Sequence, residues 1–513
     1  MKHARLLCLM MMLLCMMTVV AQEVVSSQVC RRGTPREQGS LFRRTDDKNR
    51  VPGGDFYHGE RHQLTVLVNF NDRHFQDDQS AAMEKWNKIF NAENYHESAY
   101  KGSVHDYFMD QSYGKFNLVF DLEFIQVSGN AERYASNKYD DENSQFLVDD
   151  IVDELKKRDI DWAKYDWNDD GYINQLLIIY PGYGMNESKD SNLIWPHQWW
   201  MSEHLKDGKR GSYRNALTVS AGDKNYQIDC YCALNELSAR EGYSPFGTIC
   251  HEYTHCFGLP DFYSSSVKGL VGNWDLMGCG NYNGKGYVPA GFSAHERWLM
   301  GWVTPIELKK ATTVHDIPAL AEEGRAYLIR NEGCENEYYI IENRQPIGWD
   351  AEIPGSGILV FHIDYDPSLW TSTTASPNSY FVRRYELFYA NNSASLFSDW
   401  AYPYGDTNQL TNTSTPAAKL NNLNIDGSRL MSKPITDMTV TGGLASFSFS
   451  MPSTTGVGEL IAETAPEVLC HLGMVDIVRD AQGYIRKKIR VNRFEFGGWR
   501  TLMNTKPTNE DSQ

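Results

Sequence analysis

Long apolar runs are scarce in this chain. Beyond the first 20 residues, no stretch approaches the roughly 20 apolar residues that a bilayer-spanning helix needs, so no membrane-spanning segment is expected once that opening run is removed. Cysteine is sparse too: ten in 513 residues, with Cys8 and Cys15 inside the opening run. That density excludes a small disulfide scaffold. Positive charge is in deficit, with 49 basic against 66 acidic residues. Such a balance argues against nucleic acid or an anionic membrane as partner. Solenoid repeats and low-complexity tracts are also missing, which leaves an ordinary globular chain long enough for two or three domains.

The chain opens with Lys2 and Arg5, runs apolar from Leu6 to Val20, and turns polar after Ala21. This order predicts a cleavable export signal over residues 1–21, and hence a secreted, extracellular protein. Its removal takes away Lys2 and Arg5 and leaves 47 basic against 66 acidic residues. Residues 22–61 are polar and aperiodic and read as a leader or short pro-segment. From 62 to 305 strand-like and helical patterns alternate irregularly, as in an α+β unit. Strands are predicted at 63–70, 118–120 and 175–180, with helices at 81–91, 103–109 and 145–157. From 306 to 452 the apolar segments become short and strand-like, predicting a β-rich, sandwich-like domain. Residues 453–513 read as a linker and a small C-terminal module, serving export, surface attachment or plain stabilisation.

The chemistry concentrates in His251-Glu252-Tyr253-Thr254-His255. Positions four apart on a helix lie side by side, so the two imidazoles can share one tetrahedral zinc. Glu252, on the same side, is placed to act as general base toward a water that the metal has acidified. Gly258 can end the helix in a left-handed turn. Asp261 then comes within reach as a third ligand, leaving a fourth position for water. Glu296, in a helix predicted over Ser293–Met300, competes for that third place, with a salt bridge or a supporting role as its alternative. Met277, in Gly272-Asn273-Trp274-Asp275-Leu276-Met277-Gly278, has the setting of the methionine turn that lies beneath zinc in metzincin-type peptidases.

The stretch HEYTHCFGLPDFY, with GNWDLMG and FSAHERWLMGW after it, closely resembles the immune inhibitor A family of secreted bacterial metalloendopeptidases. Supporting segments are Gly102–Phe108, Ile194–His197 and Ile341–Gln345. The resemblance covers most of residues 62–450. It implies a zincin-like catalytic domain and a zinc endopeptidase acting on proteins or peptides outside the cell. It also implies that His251, His255 and a carboxylate hold the metal.

Several other features have two readings. Asp166, Asn168 and Asp170 place oxygens at alternate positions before Gly171. They form either a calcium loop or a solvated turn, and Leu177 in the twelfth position excludes an EF-hand. The strand at Asn174–Tyr180 is either a rim for an extended substrate or a core strand. Cys30 is either a latency ligand for the metal or part of an ordinary tail. His197, His362 and Asp364 read as structural.

Overall fold

The computed structural model describes residues 57–135, 143–188, 190, 192–206, 212–264, 270–370, 377–378, 382–393 and 399–451, together with the backbone of four later strands. The expected export signal, nearly all of the leader with Cys30, and the linker after 452 lie outside the described residues. Residues up to Met451 form one compact unit and Pro452–Gln513 another.

Among the described residues, eight strands precede the histidine motif: β1 (Gly59–Asn69), β2 (Phe116–Gln126), β3 (Tyr172–Ile173), β4 (Leu176–Tyr183), β5 (His197–Trp200), β6 (Leu217–Ala221), β7 (Lys224–Ile228) and β8 (Cys230–Leu237). Five of them form a sheet in the order β2-β1-β4-β8-β5, parallel except for β5, which runs antiparallel to β8. The other three form a small sheet in the order β3-β7-β6.

The central strands carry apolar residues toward both faces because both faces of the sheet are covered. Leu64, Val66, Val68, Ile178 and Ala233 pack on helix α3 (Ser144–Leu155), through Leu147, Ile151 and Leu155. The alternate residues Leu67, Leu177, Ile179 and Leu234 face helices α1 (Gln79–Asn91), α2 (Val104–Gln111) and α4 (Phe246–Thr254). The segment read as a substrate rim or a core strand is the latter, since β4 is paired on both sides, with β1 and with β8. Helix α2 starts on a capping box, in which the Ser103 hydroxyl accepts from the Asp106 N–H and the Asp106 carboxylate accepts from the Ser103 N–H. That carboxylate also accepts from the N–H groups of Asn94 and Tyr95, which ties the loop after α1 to the start of α2.

After helix α5 (Ala294–Leu299) most of the regular elements are strands: β9 (Ile306–Glu307), β10 (Thr312–Ile317), β11 (Tyr327–Asn331), β12 (Cys334–Arg344), β13 (Gly357–Asp364), β14 (Tyr385–Leu387), β15 (Ile435–Thr441) and β16 (Leu444–Phe449). A sheet β14-β13-β12-β11-β9 lies over a three-stranded sheet β10-β16-β15. One face of the larger sheet, with Tyr339, Ile341, Ile358 and Val360, packs on Ile317, Ile435 and Phe447 of the smaller one. Its other face, with Tyr338, Ile340, Leu359 and Phe361, joins the core that contains α4.

Residues on the two sides of position 305 thus share one continuous core. Buried charges cross that position as well. Arg344 of β12 pairs bidentately with Asp350 and reaches Glu342, whose other oxygen accepts from the Ala294 N–H at the start of α5. With its carboxylates in place Arg344 is compensated, and loss of one partner would strand a buried charge.

In the C-terminal unit, Glu467–Leu472, Val475–Arg479, Ile485–Ile489 and Thr501–Thr505 pair in sequence order as an antiparallel meander. No helix among the described residues is long and apolar enough to cross a membrane.

His362 of β13 illustrates how the β-rich half is held. Its Nε2 lies 2.8 Å from Glu337 Oε1, and its Nδ1 lies 3.7 Å from Glu386 Oε1. Glu337 also accepts from the Asn331 side chain and from the backbone N–H groups of Asn421 and Asn422. Burial disfavours the imidazolium, but the two glutamates outweigh it and raise the His362 pKa to about 9. Because the folded value exceeds the unfolded one, the stabilisation is complete below about pH 6.5 and is lost as pH rises toward the folded value. Its ceiling is about 3 kcal/mol. Urea unfolding should therefore show wild-type stability falling between pH 6.5 and 9, with a flatter profile in His362→Gln; equal slopes would refute the ion pair.

Candidate metal centre

Helix α4 is buried along its whole length, with Phe246, Ile249, Cys250 and Tyr253 packed into the core around it. A single tighter turn, His255–Phe257, extends it. Gly258 then stops it at φ +77°, in the left-handed region that favours glycine, with its N–H bonded to the His255 carbonyl at 2.9 Å. The reversal brings Asp261 back under the helix.

Three side-chain atoms converge there. Asp261 Oδ1 lies 3.1 Å from His251 Nε2 and 3.3 Å from His255 Nε2. Among the described residues, His251, His255 and Asp261 form the one group of three or more histidine, cysteine or acidic side chains gathered closely enough to hold a metal ion. Ligands about 2.0–2.2 Å from a tetrahedral zinc stand roughly 3.3 Å from one another, so the separations around Asp261 suit that ion.

The other ring nitrogens fix the tautomers. His251 Nδ1 lies 2.8 Å from the Leu276 carbonyl, and His255 Nδ1 lies 2.8 Å from the Leu259 carbonyl. Carbonyls only accept, so each Nδ1 carries a proton, which leaves each Nε2 as the ring atom that a metal at the shared centre would take. The Tyr263 ring lies nearly parallel to His251, with centroids 6.4 Å apart.

The electrostatics favour a cation. Burial disfavours a charged His251, yet Asp261 and Glu252 outweigh it and raise its pKa to about 9. Burial alone would raise the Asp261 pKa, but the two histidines hold it well below the usual carboxylate range. Without metal, the cluster therefore keeps a proton that a binding cation must displace. Glu252 is fully buried beside the cluster, with Oε2 3.8 Å from His255 Nε2, and is not one of the three converging ligands.

Glu296, the competing third ligand, is committed elsewhere. It closes the capping box of α5, where its Oε2 accepts from the Ser293 N–H and hydroxyl. Burial, and then the neighbouring Asp275 carboxylate, push its pKa well up. Asp275 in turn accepts from the Met277 N–H at 2.8 Å, which shapes the turn around the buried Met277. The sequence names that turn, but does not single out Asp275 or the two leucine carbonyls. Asp275 could have been suspected as an acid two residues before the turn methionine; a backbone carbonyl leaves no signal in side-chain identity.

The Asp166 loop spends its oxygens internally. Asp166 accepts from the N–H groups of Asp170 and Gly171, the Asn168 amide donates to Asp170, and Asp170 accepts from the Tyr172 N–H. These bonds are those of a self-capped turn. His197 is buried on β5, with Nδ1 2.6 Å from the Trp195 carbonyl and Nε2 3.0 Å from the Tyr231 hydroxyl.

Two variants separate the candidates for third ligand. Asp261→Ala should lose at least tenfold in zinc affinity, whereas Glu296→Gln, which keeps a neutral group at the cap, should retain stoichiometric metal. Metal analysis after dialysis reads both, and the reverse pattern would give the ligand role to Glu296.

A search of the curated proteins found no match. Residues 57–301, which include β1, α4 and all three converging ligands, match the family model described as immune inhibitor A peptidase M6, catalytic domain. Residues 57–301 thus match the catalytic domain of the immune inhibitor A peptidases, a metallopeptidase domain.

Proposed function

We propose that this protein is a secreted, zinc-dependent endopeptidase that hydrolyses internal peptide bonds of extracellular proteins, with Glu252 as general base. The observation that carries the reading is the buried Glu252 carboxylate, 3.8 Å from His255 Nε2 at a site where three ligand atoms converge. His251, His255 and Asp261 would hold the zinc. Bound there, zinc supplies a Lewis acid that lowers the pKa of water and polarises a carbonyl.

The remaining work falls to the chain. The Leu276 and Leu259 carbonyls keep both imidazoles in the ligating tautomer. Glu252 accepts the proton of the attacking water and returns it to the departing amine, so no covalent intermediate on the protein is needed. The basic and apolar run at residues 1–21 supports export, and the acidic balance is compatible with solubility outside the cell.

The test is Glu252→Ala assayed on a folded protein substrate and on end-blocked peptides. Activity should fall by about 10²–10⁴-fold with zinc content unchanged. Cleavage at the wild-type rate would remove Glu252 from the mechanism. Release of free dipeptides alone, with end-blocked substrates untouched, would identify an exopeptidase instead.

A further inference from the structure

We propose that Tyr385, in the β-rich half and outside the residues that match the catalytic family, is a positioning residue of the metal centre. This rests on the reading of His251, His255 and Asp261 as ligands. Tyr385 is fully buried on β14 and touches both routes by which the chain steers those ligands.

The first route runs through its ring. Tyr385 stacks on Phe262, with centroids 3.7 Å apart and planes 17° from parallel. Phe262 directly follows Asp261. Its N–H donates to the Met277 carbonyl at 2.9 Å, and its own carbonyl accepts from the Asn378 amide at 2.9 Å. Asn378 also donates to the Tyr385 carbonyl, while its side-chain oxygen accepts from the N–H groups of Arg384 and Tyr385. One amide side chain thus binds the start of β14 to the peptide beside the third ligand.

The second route runs through the hydroxyl. Tyr385 donates to Asp275 Oδ2 at 3.0 Å and lies 2.6 Å from Ser293 Oγ. The other Asp275 oxygen accepts from the Met277 N–H. Between those two residues sits Leu276, whose carbonyl fixes His251 Nδ1. Tyr385 gives its proton to Asp275, and the same hydroxyl oxygen sits against Ser293, the residue that begins helix α5. A single side chain therefore braces the Asp261 loop with its ring and the His251 carbonyl with its hydroxyl. Groups that orient metal ligands from behind commonly alter affinity by about 10–100-fold when removed.

The experiment uses full-length protein, with zinc titrated against a chromophoric chelator and cobalt(II) as a spectroscopic substitute. Tyr385→Phe keeps the stacked ring and removes the hydroxyl. It should weaken zinc binding by about 10-fold or more, change the cobalt visible spectrum, and lower kcat with KM for an end-blocked substrate nearly unchanged. Tyr339→Phe is the control: it removes a buried hydroxyl, bonded to the Lys419 carbonyl, on the opposite face of the same sheet, and should leave zinc affinity and the cobalt spectrum as in the wild type.

Wild-type affinity and spectrum in Tyr385→Phe would overturn the proposal. Should that variant not fold, Asn378→Ala, which loosens the clamp on Phe262 and leaves the ring in place, is expected to weaken zinc binding, and unchanged affinity there would overturn it equally. Failure of the wild-type protein to bind zinc would instead remove the ligand assignment on which the proposal rests.

Discussion

A largely buried carboxylate within about 3 Å of two imidazole nitrogens is the arrangement on which the centre depends. Left alone, such a cluster would relax, since burial penalises each ionised group and nothing in the side chains themselves holds them in register. The backbone supplies the register. Helix α4 sets the spacing of His251 and His255, Gly258 turns the chain, and the carbonyls of Leu259 and Leu276 fix the rings from behind. Each of these holds an angle that a metal would otherwise have to impose at a cost in affinity, which is the sense in which the centre is preorganised.

The frame around α4 comes from both halves of the chain. The parallel sheet covers one side of the helix through Leu177, Ile179 and Leu234, while the larger β-rich sheet adds Ile340, Leu359 and Phe361 to the same core. Several segments that resemble the peptidase family outside the histidine motif prove to be anchors of this frame. Ser103 and Asp106 cap α2, His197 is locked to Tyr231, and Glu342 and Arg344 carry the charge bridge to α5. Their identities are demanded by hydrogen bonding in a dry interior, where an unpaired polar group costs more than a lost apolar contact.

Much of this was readable in the sequence where the signal is local. Histidines four apart with a glutamate between them need only helical geometry, and the glycine after them needs only a left-handed stop. The strand at 63–70 announced itself by its β-branched, apolar content, although β1 begins earlier, at Gly59, because the paired edge of β2 extends it. What could not be read is non-local. The one-dimensional string favours Asp261 as third ligand but leaves Glu296 as a competitor; only the tertiary fold shows that Glu296 is engaged by Ser293 while Asp261 faces both histidines. The contact of Tyr385 with Phe262 joins segments far apart in the chain, with no periodicity to betray it. The Asp166 loop shows the opposite limit, since a pattern of alternating oxygens fits both a cation loop and a turn whose backbone N–H groups donate to Asp166.

The central claim is the position of the metal. Crystals grown with zinc, with diffraction recorded on both sides of the zinc absorption edge, test it most directly. The account predicts one strong anomalous peak bonded to His251 Nε2, His255 Nε2 and Asp261, with Glu252 near but outside the ligand set. A peak at Glu296, or none between the two histidines in zinc-loaded crystals, would contradict it.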